Sequence, residues 1–236
     1  RRHEPSLKAL YGRWAAGNTY DKARERAALS YPEWMAMCEQ LELVDAVFTV
    51  RRARLVFLWS RMRVVNEASG GARLRVTHLL FEDFLEAIVR VALAKALPTD
   101  AEVRAEGCSD AGEYMISLRE HPDRCMRFVH EHSAVWDAHD SVNAMPRQPA
   151  ASCVEALVWL IVRTVKCQPI GPLSGSTTLS DHDVERFMSG DRGVARPTVR
   201  RASTMAAGMM GAAMAKKEVV LSPRSHDRAV LAALDH

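Results

Sequence analysis

The 236-residue chain is 48% hydrophobic and 26% charged, so it can bury a sizeable core and is not a disordered, solvating polymer. Its formal net charge of +3 falls short of the dense basic stripe of a dedicated nucleic-acid domain, and no apolar run reaches the roughly 20 residues a membrane span requires. Cys38, Cys108, Cys125, Cys153 and Cys167 are odd in number and contain no C-x-x-C pair, which excludes a disulfide framework and reads as reduced thiols of a cytosolic type.

Residues 7–29 carry Leu7, Leu10, Tyr11 and Trp14 among charges, which predicts a short amphipathic helix followed by a polar connection at Gly17-Asn18-Thr19. Ser30-Tyr31-Pro32-Glu33 is a helix start: Ser30 caps, Pro32 sits in the first turn and Glu33 completes a capping box. The helix it opens carries Trp34, Met35, Met37, Cys38 and Leu41 and fades around Asp45. Val47-Phe48-Thr49 is a β-prone stub, with Thr49 placed to cap a helix over residues 50–65. That helix is expected to bury Leu55, Val56, Trp59 and Met62 and to expose Arg51, Arg52, Arg54, Arg61 and Arg63. Residues 66–71 form a glycine-containing turn, and Leu74-Arg75-Val76 is expected to be extended.

The strongest pattern follows. From Phe81, the residues Phe84, Leu85, Ile88, Val89, Ala92 and Leu93 recur at helical spacing and lay one apolar stripe along a helix. Glu82 and Asp83 lie at its positive end and Lys95 near its negative end, as the helix dipole favours. Burying the stripe, at roughly 1.5–3 kcal/mol per large side chain, outweighs any surface ion pair and calls for a partner helix just upstream.

Helix, stub, helix, glycine loop, stub, helix is the skeleton of paired EF-hands. With Leu79 at the eighth place of a calcium loop, Asp83 takes the twelfth, but Ala72, Leu74 and Val76 fall where side-chain oxygens must coordinate. No calcium site is therefore expected. Met37-Cys38-Glu39-Gln40, Val44-Asp45, Phe48-Thr49-Val50, Leu55-Val56-Phe57 and above all residues 79–88, LLFEDFLEAI, resemble the core domain of the tubulin polymerization-promoting proteins and related EF-hand-like domains of ciliary and flagellar proteins. The resemblance covers residues 31–97 and implies a helical, calcium-free domain acting on or beside microtubules. The chain departs from that family in its long extension after Pro98, in Leu80 where a polar cap is usual, and in having no second cysteine near Cys38, which removes the basis for a family-type zinc site.

Beyond residue 98, residues 110–139 are helical, with a restart at Pro122-Asp123, and Met145-Pro146 breaks the chain. Residues 152–166 are apolar almost all round and predict a central core helix packed on the stripe helix. Ser180-Asp181-His182-Asp183 caps a short helix that reaches Phe187 and ends at Gly190. From Asp191 onward Arg, Ser, Thr, Gly, Met and Ala dominate, the signature of an extended tail. The expected fold is all-α: an N-terminal helical arm (1–29), a degenerate EF-hand-like helical domain (30–98), a helical extension packed on it (99–190) and a basic, Met/Ala-rich extended tail (191–236).

His121, Cys125, His132 and His139 lie near one helical face, but one straight helix cannot converge its own distant turns on a single zinc ion. A His-rich surface is the reading, with no metal and no cofactor. Gly171-Pro172-Leu173-Ser174-Gly175 has no strand before it and is not a nucleophile elbow; Cys38, Cys125, Cys153 and Cys167 sit in apolar patterns that suit uncharged thiols. No catalytic residue and no small-molecule substrate are assigned. Arg51, Arg54 and Arg61 share one helix face and Arg52 and Arg63 another, where guanidinium groups suit carboxylate-rich surfaces. Arg200-Arg201-Ala202-Ser203 fits a basophilic kinase site at Ser203, and the Met205 to Met214 run suits a partner's groove. The sequence reading is a non-enzymatic docking protein of a microtubule-based assembly such as the ciliary or flagellar axoneme. It would contact tubulin or other axonemal proteins through Arg51, Arg52, Arg54, Arg61, Arg63, Arg200 and Arg201. The alternative is a helical component of an RNA-protein particle such as a mitochondrial ribosome.

Overall fold

The computed structural model describes residues 2–15, 27–61, 77–137, 148–168, 171, 173 and 176–190. The fold is all-α. Among the described residues nine helices accompany a single pair of two-residue strands. The expected extended stretch at 74–76, the calcium-loop positions Ala72, Leu74 and Val76, and the tail from Asp191 lie outside them.

Helix α1 (Glu4–Trp14) leads to strand β1 (Leu29–Ser30) and helix α2 (Tyr31–Gln40); helix α3 (Val50–Ser60) leads to strand β2 (His78–Leu79) and helix α4 (Phe81–Ala94). These are two copies of one helix-loop-strand-helix unit. The strands pair antiparallel with Leu29 opposite Leu79, so equivalent residues face each other, as a local two-fold axis requires. Both α1 and α3 have 11 residues. Tyr11 of α1 meets Phe81, the first residue of α4, with ring centroids 5.4 Å apart, and Phe57 of α3 meets Tyr31, the first residue of α2, also at 5.4 Å. Each half thus completes the other's core.

The two strand-to-helix turns use the same device. Glu33 accepts from the Ser30 N–H at 2.8 Å and from its hydroxyl at 2.7 Å, and Asp83 accepts from the Leu80 N–H at 3.1 Å. The capping box at Ser30 is therefore as read from sequence, while Leu80 contributes only its backbone. The Tyr11 hydroxyl lies 2.8 Å from the Ala27 carbonyl and 3.1 Å from that of Leu79, fastening α1 to β2 and to the chain just ahead of β1. Burial, followed by the nearby Glu82, Asp83 and Glu33 carboxylates, pushes its pKa up.

Several boundaries differ from the sequence reading. The first helix starts three residues earlier than the apolar pattern from Leu7, spanning residues 4–14, and Leu7, Leu10, Tyr11 and Trp14 lie in the same core as α2 to α4; the expected connection at Gly17-Asn18-Thr19 lies outside the described residues. The strands lie at 29–30 and 78–79, not at Val47-Phe48-Thr49, whose backbone instead bends around Asp45. Helix α3 stops at Ser60 with Arg61 extended beyond it. It buries Ala53, Val56, Phe57 and Ser60, leaving Leu55 half-buried and Trp59 62% exposed. The stripe helix α4 is turned from its expected orientation: it buries Asp83, Phe84, Ala87, Ile88, Val91, Ala92 and Ala94, while Leu85, Val89 and Leu93 are half-buried. It needs this broader face because α3 packs on one side and the second layer on the other.

That layer comprises α5 (Asp100–Ala105), α6 (Ala111–Arg119), α7 (Pro122–Asp137), α8 (Ala150–Lys166) and α9 (Asp181–Met188). Helix α5 was not foreseen in the sequence; Thr99 and Glu102 cap it. The apolar α8 packs on α4, as expected, and also on α6 and α9. At the α6–α8 crossing, a Cβ added to Gly112 would lie 2.5 Å from the Trp159 carbonyl oxygen. Gly112→Ala must force the helices apart, and urea unfolding is expected to show a loss of about 1–2 kcal/mol, within the usual cost of overpacking.

Helix α9 closes over α1. Trp14 and Phe187 sit with ring centroids 6.3 Å apart, Arg13 pairs with Glu185 at 2.5 Å, and the Leu179 N–H donates to Ser6 Oγ at 2.9 Å. Its start is the Ser180–Asp183 capping box, as read from the sequence, and Gly190 follows with φ +73.

Candidate partner-binding site

Helix α3 presents the arginines that the sequence singles out. Its start is fixed by three contacts: Thr49 Oγ1 accepts from the Arg52 N–H at 3.3 Å, and Asp45 Oδ1 accepts from the N–H groups of Val47 and Phe48 at 2.9 and 2.7 Å. The other Asp45 oxygen binds the Lys95 ammonium, whose Nζ also donates to the Leu43 carbonyl at 2.8 Å. Lys95 is 4% exposed. Burial lowers its pKa, and Asp45 offsets part of that fall. Burial opposes ionisation of Asp45 too, but Lys95 and the two N–H groups hold its carboxyl below the usual carboxylate range. The two acids of the α2–α3 connection are thus answered from within the protein, Asp45 by Lys95 and Glu42 by Arg119 at 2.8 Å.

The arginines divide. Arg51 and Arg54 are exposed. Arg52 is half-buried and donates to the Val47 carbonyl at 2.7 Å, and Arg61 is half-buried with its guanidinium 5.7 Å from the Phe57 ring centre. The expectation that Arg52 and Arg61 stand free in solvent is therefore corrected, because the loop carbonyl and the Phe57 ring give each a place to dock. Arg63, Arg200, Arg201 and Ser203 lie outside the described residues, as do Met205 to Met214. Beside Arg51 and Arg54 the sequence reading missed an apolar element: Leu58 is 49% and Trp59 62% exposed.

The histidines do not converge. His121 is exposed ahead of α7, whereas His132 is buried, its ring 3.8 Å from that of Phe128 and its Nδ1 donating to the Phe128 carbonyl at 2.7 Å. His139 lies outside the described residues. Among the described residues no group of three His, Cys, Asp or Glu side chains could hold a metal ion. Cys38 and Cys153 are buried, and burial raises both pKa values. Cys125 is only half-buried, and Cys167 is exposed at the left-handed end of α8, so neither fits the expected buried setting.

No match to this chain is found among protein-family models, curated proteins or solved structures. No described helix is long and apolar enough to cross a membrane.

Proposed function

We propose that this protein is a non-enzymatic docking component of a microtubule-based assembly such as the ciliary or flagellar axoneme, built on a calcium-free EF-hand-like pair. The observation that supports it most is the outward side of α3, where Arg51 and Arg54 project from a helix held at both strand-paired core and Asp45–Lys95 loop. The duplicated helix-loop-strand-helix unit supports the EF-hand-like reading, and the inward use of Glu33, Asp83 and Asp45 as backbone and ammonium acceptors supports a structural rather than ion-sensing role. Such a face suits acidic protein surfaces, including those of tubulin.

The test is co-pelleting with microtubules. Affinity is expected to fall as salt rises, since exposed charges are screened over about 10 Å at 0.1 M. Arg51→Glu with Arg54→Glu is expected to weaken binding about tenfold, which corresponds to ~1.4 kcal/mol. Pelleting that is unchanged in the double variant, or that nuclease abolishes, would sink the proposal.

A further inference from the structure

The local two-fold allows α1 and α3 to be compared position by position. The inner face is buried in both: Leu7, Leu10, Tyr11 and Trp14 on α1 correspond to Ala53, Val56, Phe57 and Ser60 on α3. On α1 two further residues, Ser6 and Ala9, are buried as well, along the side where α9 lies. Their counterparts on α3 are Arg52 and Leu55, only half-buried, and the line continues through Trp59. Helix α3 therefore displays, largely uncovered, the side that its twin gives to α9.

The cover on α1 shows what chemistry such a side accepts. Helix α9 buries Val184 and Phe187, three positions apart, and carries Asp181, Asp183 and Glu185 around them. On α3 the apolar line is Leu55, Leu58 and Trp59, flanked by Arg51 and Arg54. Arg13, the base that α1 gives to Glu185, has Trp59 as its counterpart, so on α3 the basic groups Arg51 and Arg54 lie at the rim of an apolar centre whose aromatic anchor is of the kind that dominates binding surfaces. The chain's own remaining segments are not acidic: residues 16–26 hold Lys22, Arg24 and Arg26 against Asp21 and Glu25, residues 62–76 hold Arg63, Arg73 and Arg75 against Glu67, residues 138–147 balance Asp140 with Arg147, and residues 191–236 also hold more bases than acids.

We infer that the Leu55–Leu58–Trp59 line of α3, with Arg51 and Arg54 beside it, is a binding site for a short acidic amphipathic helix of a partner protein, taken as α9 is taken by α1. The inference rests on the docking reading of α3 and gives that surface its ligand class.

The probe is a fluorescein-labelled, end-blocked peptide of residues 178–190, which carries this acid and apolar pattern with its own capping box, titrated into the full chain and followed by anisotropy. Saturable binding is expected, weakened at least tenfold by Trp59→Ala and by Arg51→Glu with Arg54→Glu. It should be lost in a peptide with Val184→Ser and Phe187→Ser, and in one with Asp181→Lys, Asp183→Lys and Glu185→Lys. Because Trp59 is exposed, unchanged melting of Trp59→Ala serves as the folding control. Binding that ignores Trp59, or that survives charge reversal of the peptide, overturns the inference. So does self-association of the chain abolished by Trp59→Ala, or a Trp59 emission, isolated by difference from Trp59→Phe, already shielded from iodide. Peptide binding without any effect of Trp59→Ala on microtubule pelleting leaves the helix site standing and removes the docking reading. Pelleting that depends on Arg51 and Arg54 without peptide binding does the reverse.

Discussion

Arg163→Ala is expected to lower the stability of the protein by about 3–5 kcal/mol, the range for removing one partner of a buried ion pair. Arg163 is 1% exposed near the end of α8. Its Nε donates to both Asp110 oxygens at 2.7 and 2.9 Å. One terminal nitrogen reaches Asp110, Ser109 and the Gly171 carbonyl at 2.7, 2.8 and 3.0 Å, and the other reaches the Gln168 carbonyl at 3.1 Å. Asp110 also caps α6 through the Glu113 N–H, while Glu113 accepts from the Gly171 N–H at 2.7 Å. One guanidinium thus joins the end of α8, the loop after it and the start of α6. Arg163→Lys is expected to recover little, since an ammonium cannot reproduce the planar fork. Urea unfolding of both variants checks this; a loss under 1 kcal/mol in Arg163→Ala would show that the network contributes almost nothing net.

Asp45→Asn is expected to cost about 2–3 kcal/mol, less than a fully enclosed pair because Asp45 keeps some contact with solvent. The amide can still accept from Val47 and Phe48, so the loss isolates the stranded Lys95 charge. Adding Lys95→Met to Asp45→Asn should restore most of the stability, because an apolar side chain of similar volume needs no counter-charge. The pair also sets a pH dependence. The folded carboxyl lies below its ordinary value, so on acidification the unfolded chain takes up the proton first. The contribution is present in full above about pH 4 and disappears as the pH falls through the lower folded value. Thermal melts between pH 2 and pH 7 should show a shallower acid limb in Asp45→Asn than in the natural chain.

Local signals in the sequence were good guides wherever the cause was local. The caps at Ser30, Thr49 and Ser180, the restart at Pro122 and the apolar helix over α8 all follow from residues within one or two turns. The face of α3 was misjudged because its buried line runs through Ala53 and Ser60, which carry little hydrophobic signal, while Trp59 carries a strong one and points outward. Lys95 reads as a solvated base at a helix end and Arg163 as a break in an apolar run, yet both are buried on acids that lie about fifty residues away along the chain. Two-residue strands are too short to leave a periodic trace, so the pairing of Leu29 with Leu79 was invisible until the fold brought them together.

The crossed contacts of Tyr11 with Phe81 and Tyr31 with Phe57 also govern how the protein is made. On the ribosome the first helix pair would emerge with its aromatic sockets unfilled, and it can settle only once α4 has left the exit tunnel. A nascent chain stalled before Phe81 should stay sensitive to protease, and protection should arrive in one step for both halves together.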